Sequence, residues 1–168
     1  MLDVACGSGR HLRWLAARGF QLTGVDRDGA AIETLRAACG DSTELVLADI
    51  ESGPWPFAGR RFDAIVVTNY LWRPLLPTLL QSLNDGGVLI HETFADGNQT
   101  VGKPSRPDFL LQDGELLRVA EGLRVVGYEH GFLDAPPRFV QRIAAVAPIP
   151  GTTEPPRHAL AGASRTHG

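Results

Sequence analysis

Apolar and polar positions alternate along the chain between two periods. Short runs at residues 2–5, 21–25, 44–48 and 62–68 read as strands, and 64–67 (Ala64-Ile65-Val66-Val67) is continuously apolar. An unbroken run of this kind belongs to a strand covered on both faces. Between these runs the apolar residues recur every three or four positions. Leu12, Leu15 and Ala16 share one face of a helix over 10–18 that Gly19 would cap. Asp28 suits an N-cap, and Ile32, Leu35 and Cys39 continue a second helix to Gly40. Residues 54–59 form a loop by composition, and 74–83 a leucine-rich helix with Pro74 in its first turn. Asp85-Gly86-Gly87 turns into a fifth strand over 88–90 that runs out through Glu92-Thr93-Phe94.

Residues 95–111 form a long irregular insert with Gly97, Gly102, Pro104 and Pro107. A helix follows over 113–121, N-capped near Gln112 or Asp113, and two strands close the pattern at 123–129 and 139–146. Strands alternating with helices predict an α/β, doubly wound and mostly parallel sheet. A parallel crossover needs about a dozen residues or more. Residues 131–138 are too few, so the last two strands are expected to be antiparallel. The domain is expected to span 1–148. Residues 149–168, rich in Pro, Gly, Ser and Thr, read as a disordered tail.

At 168 residues with 43% apolar and 21% charged positions, the chain can bury a core. Its net charge of -3 gives no general attraction to nucleic acid or anionic membrane. No run approaches the roughly 20 apolar residues of a membrane span. The cysteines, Cys6 and Cys39, form neither a metal-type pair nor a disulfide framework, which points to a cytoplasmic protein with reduced thiols and no metal.

In such sheets, ligands bind beyond the carboxyl ends of the strands. Gly7 and Gly9 follow the first strand and let backbone approach a ligand. Asp26 ends the second strand, where a carboxylate can accept from ribose hydroxyls, and Asp49 ends the third, where it can accept from an exocyclic amine. Ile50 could pack on a base. Thr68, Asn69 and Tyr70 end the fourth strand, and Glu92 lies near the end of the fifth. Each also has a plain structural reading: a tight turn for the glycines, a helix cap for Asp26, a turn for Asp49, packing for the others.

The frame Gly7-Ser8-Gly9-Arg10-His11-Leu12 puts leucine where the dinucleotide fingerprint has its third glycine. This disfavours the alternative of a nicotinamide-dependent oxidoreductase. Asp3, ahead of the glycines, could hold an amino group. A ligand with an amino-acid end, a ribose and an adenine fits Asp3, Asp26 and Asp49 in order: S-adenosylmethionine.

Asp3-Val4-Ala5-Cys6-Gly7-Ser8-Gly9 resembles the first motif of the class I S-adenosylmethionine-dependent methyltransferases, with Ala5 at the first glycine. Gly24-Val25-Asp26, Ala48-Asp49-Ile50, Phe62-Asp63-Ala64-Ile65-Val66-Val67 and the run from Leu83 to Ile90 resemble their later motifs. The small bacterial stand-alone type, similar to the tellurite-resistance group, is the nearest flavour. The resemblance implies a Rossmann-like sheet of seven strands in the order 3-2-1-4-5-7-6 with strand 7 antiparallel. It also implies cofactor contacts at Asp3, Ala5, Gly7, Gly9, Asp26, Arg27, Asp49, Ile50, Thr68 and Asn69.

The acceptor is expected to be a small molecule. Tyr70, Asn69, His91 and Glu92 lie nearest the transfer position, with His11 at the rim. His91 and Glu92 should face opposite sides, and Glu92 is the one aimed into the site, leaving Tyr70 and Glu92 as the catalytic candidates. The insert should fold over the acceptor, where Lys103 and Arg106 could bind an acidic group. The helix that usually precedes strand one in this family is missing from the pattern. The second reading is therefore a truncated or non-catalytic domain that keeps the fold but holds the cofactor weakly.

Overall fold

The computed structural model describes residues 1–39, 43–152 and 157–158. The elements are β1 (Leu2–Val4), α1 (Arg10–Ala16), β2 (Leu22–Asp26), α2 (Gly29–Cys39), β3 (Thr43–Leu47), β4 (Phe62–Thr68), α3 (Leu76–Gln81), β5 (Leu83–Phe94), α4 (Glu115–Val119), β6 (Arg124–Asp134) and β7 (Pro137–Val146). The sheet has the order β3-β2-β1-β4-β5-β7-β6. β1 to β5 pair in parallel, while β7 runs antiparallel to both β5 and β6. The doubly wound fold class is therefore the observed one.

Alternation along the strands sends side chains to two cores. Leu2, Val4, Val25, Ile65, Val67 and Leu89 join Leu79 of α3 and Leu116 of α4 on one face. Leu22 and Cys6 meet Leu12 and Leu15 of α1 and Ile32 and Leu35 of α2 on the other. A Cβ on Gly24 would lie 2.6 Å from Leu12 Cδ1. The close helix–strand approach that a third glycine would give on α1 is thus achieved from the strand side, with Leu12 fully buried.

Asp28 caps α2 as expected: its Oδ1 accepts from the backbone N–H of Ala30 (2.9 Å) and Ala31 (3.2 Å). Gly40, the expected helix end, lies outside the described residues, as do 153–156 and 159–168 of the expected tail. Other boundaries differ from expectation. The last two strands continue through Leu133↔Arg138 and Asp134↔Pro137, so only Ala135 and Pro136 connect them. Their Gly- and Pro-rich ends read as loop, yet proline is tolerated at the start of a strand.

The helix expected at 74–83 is a 3-10 turn (Arg73–Leu75) followed by the short α3. Leu83 already pairs with Phe62, and the glycine turn at 84–87 bulges out before Ala64↔Val88 restores the register. The N-cap of α4 is Gly114, in the left-handed region with no side-chain cap hydrogen bond, rather than Gln112 or Asp113. Glu115 instead closes the turn, accepting from Gln112 N–H at 2.8 Å.

Candidate functional site

The carboxyl ends of β1, β2, β4 and β5, with the turn after β3, surround a cleft of about 370 Å³. Ala5, Asp26, Arg27, Asp49, Ile50, Asn69 and Tyr70 all line it, so seven residues picked from strand ends converge on one hollow. Ala5 and Asn69 both hold φ of 53°. Left-handed backbone at a non-glycine residue costs about 1–2 kcal/mol and tends to gather at functional sites.

Asp26 organises the loop after β1. Its Oδ2 accepts from Gly7 N–H at 2.7 Å and its Oδ1 from Asp28 N–H at 2.9 Å. A carboxylate has about four lone-pair sites, so two remain for a ligand. The two glycines divide their tasks. Gly7 (φ +50°) has open space where a Cβ would stand, whereas a Cβ on Gly9 (φ +71°) would lie 2.1 Å from Leu35 Cδ2. Gly7 faces open space, and Gly9 admits Leu35 of α2. Leu35 beneath Gly9 carried no local signal in the sequence.

Asp49 Oδ1 accepts from the N–H of Glu51 (2.9 Å) and Ser52 (3.2 Å). The Glu51 bond, chiefly, holds its carboxyl below the usual range. One oxygen therefore serves the turn while the side chain still borders the cleft. Arg27 lies 3.8 Å from Glu51 across the rim. The Tyr70 hydroxyl is buried without a hydrogen-bond partner, and burial, reinforced by Glu51, pushes its pKa up.

Asp3, Gly7, Gly9 and Thr68 do not line the cleft. Asp3 is buried, its Oδ2 lacks a hydrogen bond and His11 Nδ1 stands 4.0 Å away. Desolvation, then the charge of Asp26, pushes its pKa up to about 7. His11 Nδ1 also lies 3.5 Å from Thr68 Oγ1.

Glu92 is displaced from its expected place. It sits on the sheet face opposite Thr93, between Arg142 (3.5 Å) and Arg138 (3.9 Å). His91 is fully buried, with Nε2 3.2 Å from the carbonyl oxygen of Tyr70, and burial pushes its pKa down to about 4. The β5 residues that reach the cleft are Thr93 and Phe94, one step further along the strand than expected. Burial, with the charge of Asp3 next, pushes the Cys6 thiol up to about 12, which makes it a poor nucleophile.

The insert does fold over the cleft, through Pro104 and Phe109. Lys103 and Arg106 do not line it, and Arg106 pairs with Asp108 at 2.8 Å. Arg73, which no motif flagged, holds the insert in place. Its Nη1 donates to Asp108 O (2.7 Å) and its Nη2 to Leu110 O (2.8 Å), while Glu115 grips Nε and Nη2 at 2.7 and 2.9 Å. Among the described residues no cluster of His, Cys, Asp or Glu is placed to hold a metal ion, and no helix is long and apolar enough to cross a membrane.

A family model described as a methyltransferase domain matches residues 1–87. No protein of curated function matches the sequence. Among solved structures the chain is similar to TehB from Haemophilus influenzae, with 20% identity, a TM-score of 0.70 and coverage of 87% of this chain and 57% of that one. It is also similar to the N-methyltransferase NodS from Bradyrhizobium japonicum WM9 (18%, 0.68, 88% and 84%). A third is a TehB-like methyltransferase from Corynebacterium glutamicum ATCC 13032 (21%, 0.62, 88% and 78%). At these identities the likeness is one of fold, and the chain spans 57% of the length of TehB.

Proposed function

The chain belongs to the methyltransferase domain family, and from that premise we propose that it transfers a methyl group from S-adenosylmethionine to a small-molecule acceptor. The observation that carries the proposal is the placement of Asp26. One carboxylate ties down the glycine loop and still offers lone pairs to a cleft that Asp49 and Ile50 also border. Asp26 would hold the ribose hydroxyls, Asp49 and Ile50 the adenine, and the backbone at Ala5 and Gly7 the middle of the molecule. The unpaired oxygen of Asp3 and the unpaired Tyr70 hydroxyl fit a ligand with an ammonium group and further polar atoms.

When bound, the cofactor supplies a methyl group already activated on a sulfonium. The chain's own contribution is alignment and exclusion of water, which can carry much of the barrier reduction. Tyr70, with its raised pKa, stays protonated at neutral pH and acts as a hydrogen-bond donor rather than a base. Glu92, held between two guanidiniums outside the cleft, takes no part in transfer. The acceptor therefore brings its own lone pair.

Calorimetry of the full chain with S-adenosylhomocysteine tests the reading. Binding is expected, with at least a tenfold loss in Asp26→Ala. Absence of heat from the unsubstituted chain, or equal affinity in the variant, overturns it. Circular dichroism of the variant checks that the fold is kept.

A further inference from the structure

We propose that the acceptor is an aromatic small molecule, recognised by the wall that the insert lays along the cleft. This rests on the assignment of the other end of the cleft to the cofactor. The lining divides in two. Around β1 to β3 it carries every charged side chain of the cleft, Asp26, Arg27, Asp49 and Glu51, beside Ala48 and Ile50. Around β4, β5 and the insert it is Tyr70, Leu71, Phe94, Pro104 and Phe109, with Asn69 and the buried Thr93 as its polar groups.

Three carboxylates and one guanidinium border the cleft, and Arg27 already faces Glu51. Two arginines on the insert side are engaged elsewhere. Arg106 pairs with Asp108 and lies 5.2 Å from the centre of the Phe109 ring. Arg73 spends its donors on Glu115 and on the carbonyls of Asp108 and Leu110. A planar ring loses little on desolvation and gains contact with Phe94 and Phe109.

Phe109 is 40% exposed although it borders the cleft. An aromatic side chain held half open at the rim has surface left for a ligand to cover. Arg73 is the positioning residue here. It does not touch the cleft, but its two carbonyl contacts flank Phe109 in sequence and set the height of the ring.

The test uses 2-naphthol and its saturated counterpart 2-decalol at pH 7, both neutral and of similar size but with and without aromatic faces, titrated by calorimetry into the full chain with and without S-adenosylhomocysteine. The naphthol is expected to bind about tenfold more tightly than the decalol, since one aromatic contact changes affinity by up to about tenfold. Phe109→Ala should remove most of that preference while S-adenosylhomocysteine still binds. Arg73→Ala should do the same, with no further loss in the double variant, and Arg73→Lys should restore part of it. Equal affinity for the two probes, no binding of either, or an unchanged preference in Phe109→Ala overturns the proposal. Failure of S-adenosylhomocysteine to bind while the naphthol preference persists supports the aromatic wall and instead refutes the cofactor assignment.

Discussion

Replacing Gly7 and Gly9 by alanine in turn separates two demands that a glycine loop usually mixes. Both residues have positive φ, 50° and 71°, so each alanine carries a backbone cost of about 1–2 kcal/mol. At Gly7 nothing lies within 4 Å of the new methyl, and the cost ends there. At Gly9 the methyl would sit 2.1 Å from Leu35 Cδ2, a fully buried residue of α2. Forcing an extra methyl into a packed core adds about 1–3 kcal/mol. Gly9→Ala should therefore cost roughly 2–5 kcal/mol against about 1–2 for Gly7→Ala, a large share of an ordinary domain's stability. Urea unfolding followed by tryptophan fluorescence measures both. The excess belongs to Leu35, so Leu35→Ala should make Gly9→Ala no worse than Gly7→Ala, a coupling of about 1–3 kcal/mol. A Gly9→Ala variant as stable as Gly7→Ala, or strict additivity with Leu35→Ala, would refute the packing argument.

Three further outcomes follow from the described contacts. Asp3 carries a folded pKa of about 7 against an ordinary 3.8, so its contribution is full at low pH and is lost as pH rises toward 7. His91, at about 4 against 6.5, has the opposite slope: stability falls as pH drops from 6.5 toward 4. The two oppose each other at on the order of 1.4 kcal/mol per pH unit each, so Asp3→Asn should expose a steep acid loss that His91→Gln removes, read as thermal midpoints between pH 4 and 7. Arg73→Ala leaves Glu115 and two carbonyls without their donor and should cost about 1–3 kcal/mol, with amide exchange rising first in residues 107–111; uniform exchange across the domain would contradict the clamp. Ala5→Gly relieves a positive φ and should raise stability by up to about 1 kcal/mol in the same urea assay, whereas a loss would show that the Ala5 methyl packs usefully.

Which parts were legible in the sequence has a physical logic. The antiparallel last pair depends on the length of one connection, readable along a single chain, whereas the strand order came from the resemblance to a known family. Strand-end residues were legible because parallel strands bring their carboxyl ends to one side, so Asp26, Asp49 and Asn69 meet without any knowledge of packing. Glu92 was not, because alternation narrows a side chain to one of two faces but does not say which face is open. Thr93 took the place expected of Glu92, while two arginines drew Glu92 to the other face from β7, a strand some fifty residues later. Gly9 looked like Gly7 because its reason for being glycine, Leu35, lies on another helix. Arg73 carried no signal at all, since its partners become neighbours only when the insert folds back.

The insert is closed at its base. Ala95 bridges Leu111, and Asp96 N–H and Leu111 N–H donate to Leu111 O and Phe94 O, each at 2.9 Å. A segment whose two ends are pinned side by side behaves as a cassette: its interior can lengthen, shorten or change composition while β5 and the helix beyond keep their places. Mutation can therefore explore this rim without disturbing the glycine loop, and grafting a foreign stretch between residues 99 and 107 keeps the Asn98 contact with Phe139 and the Arg73 clamp while it retunes the pocket.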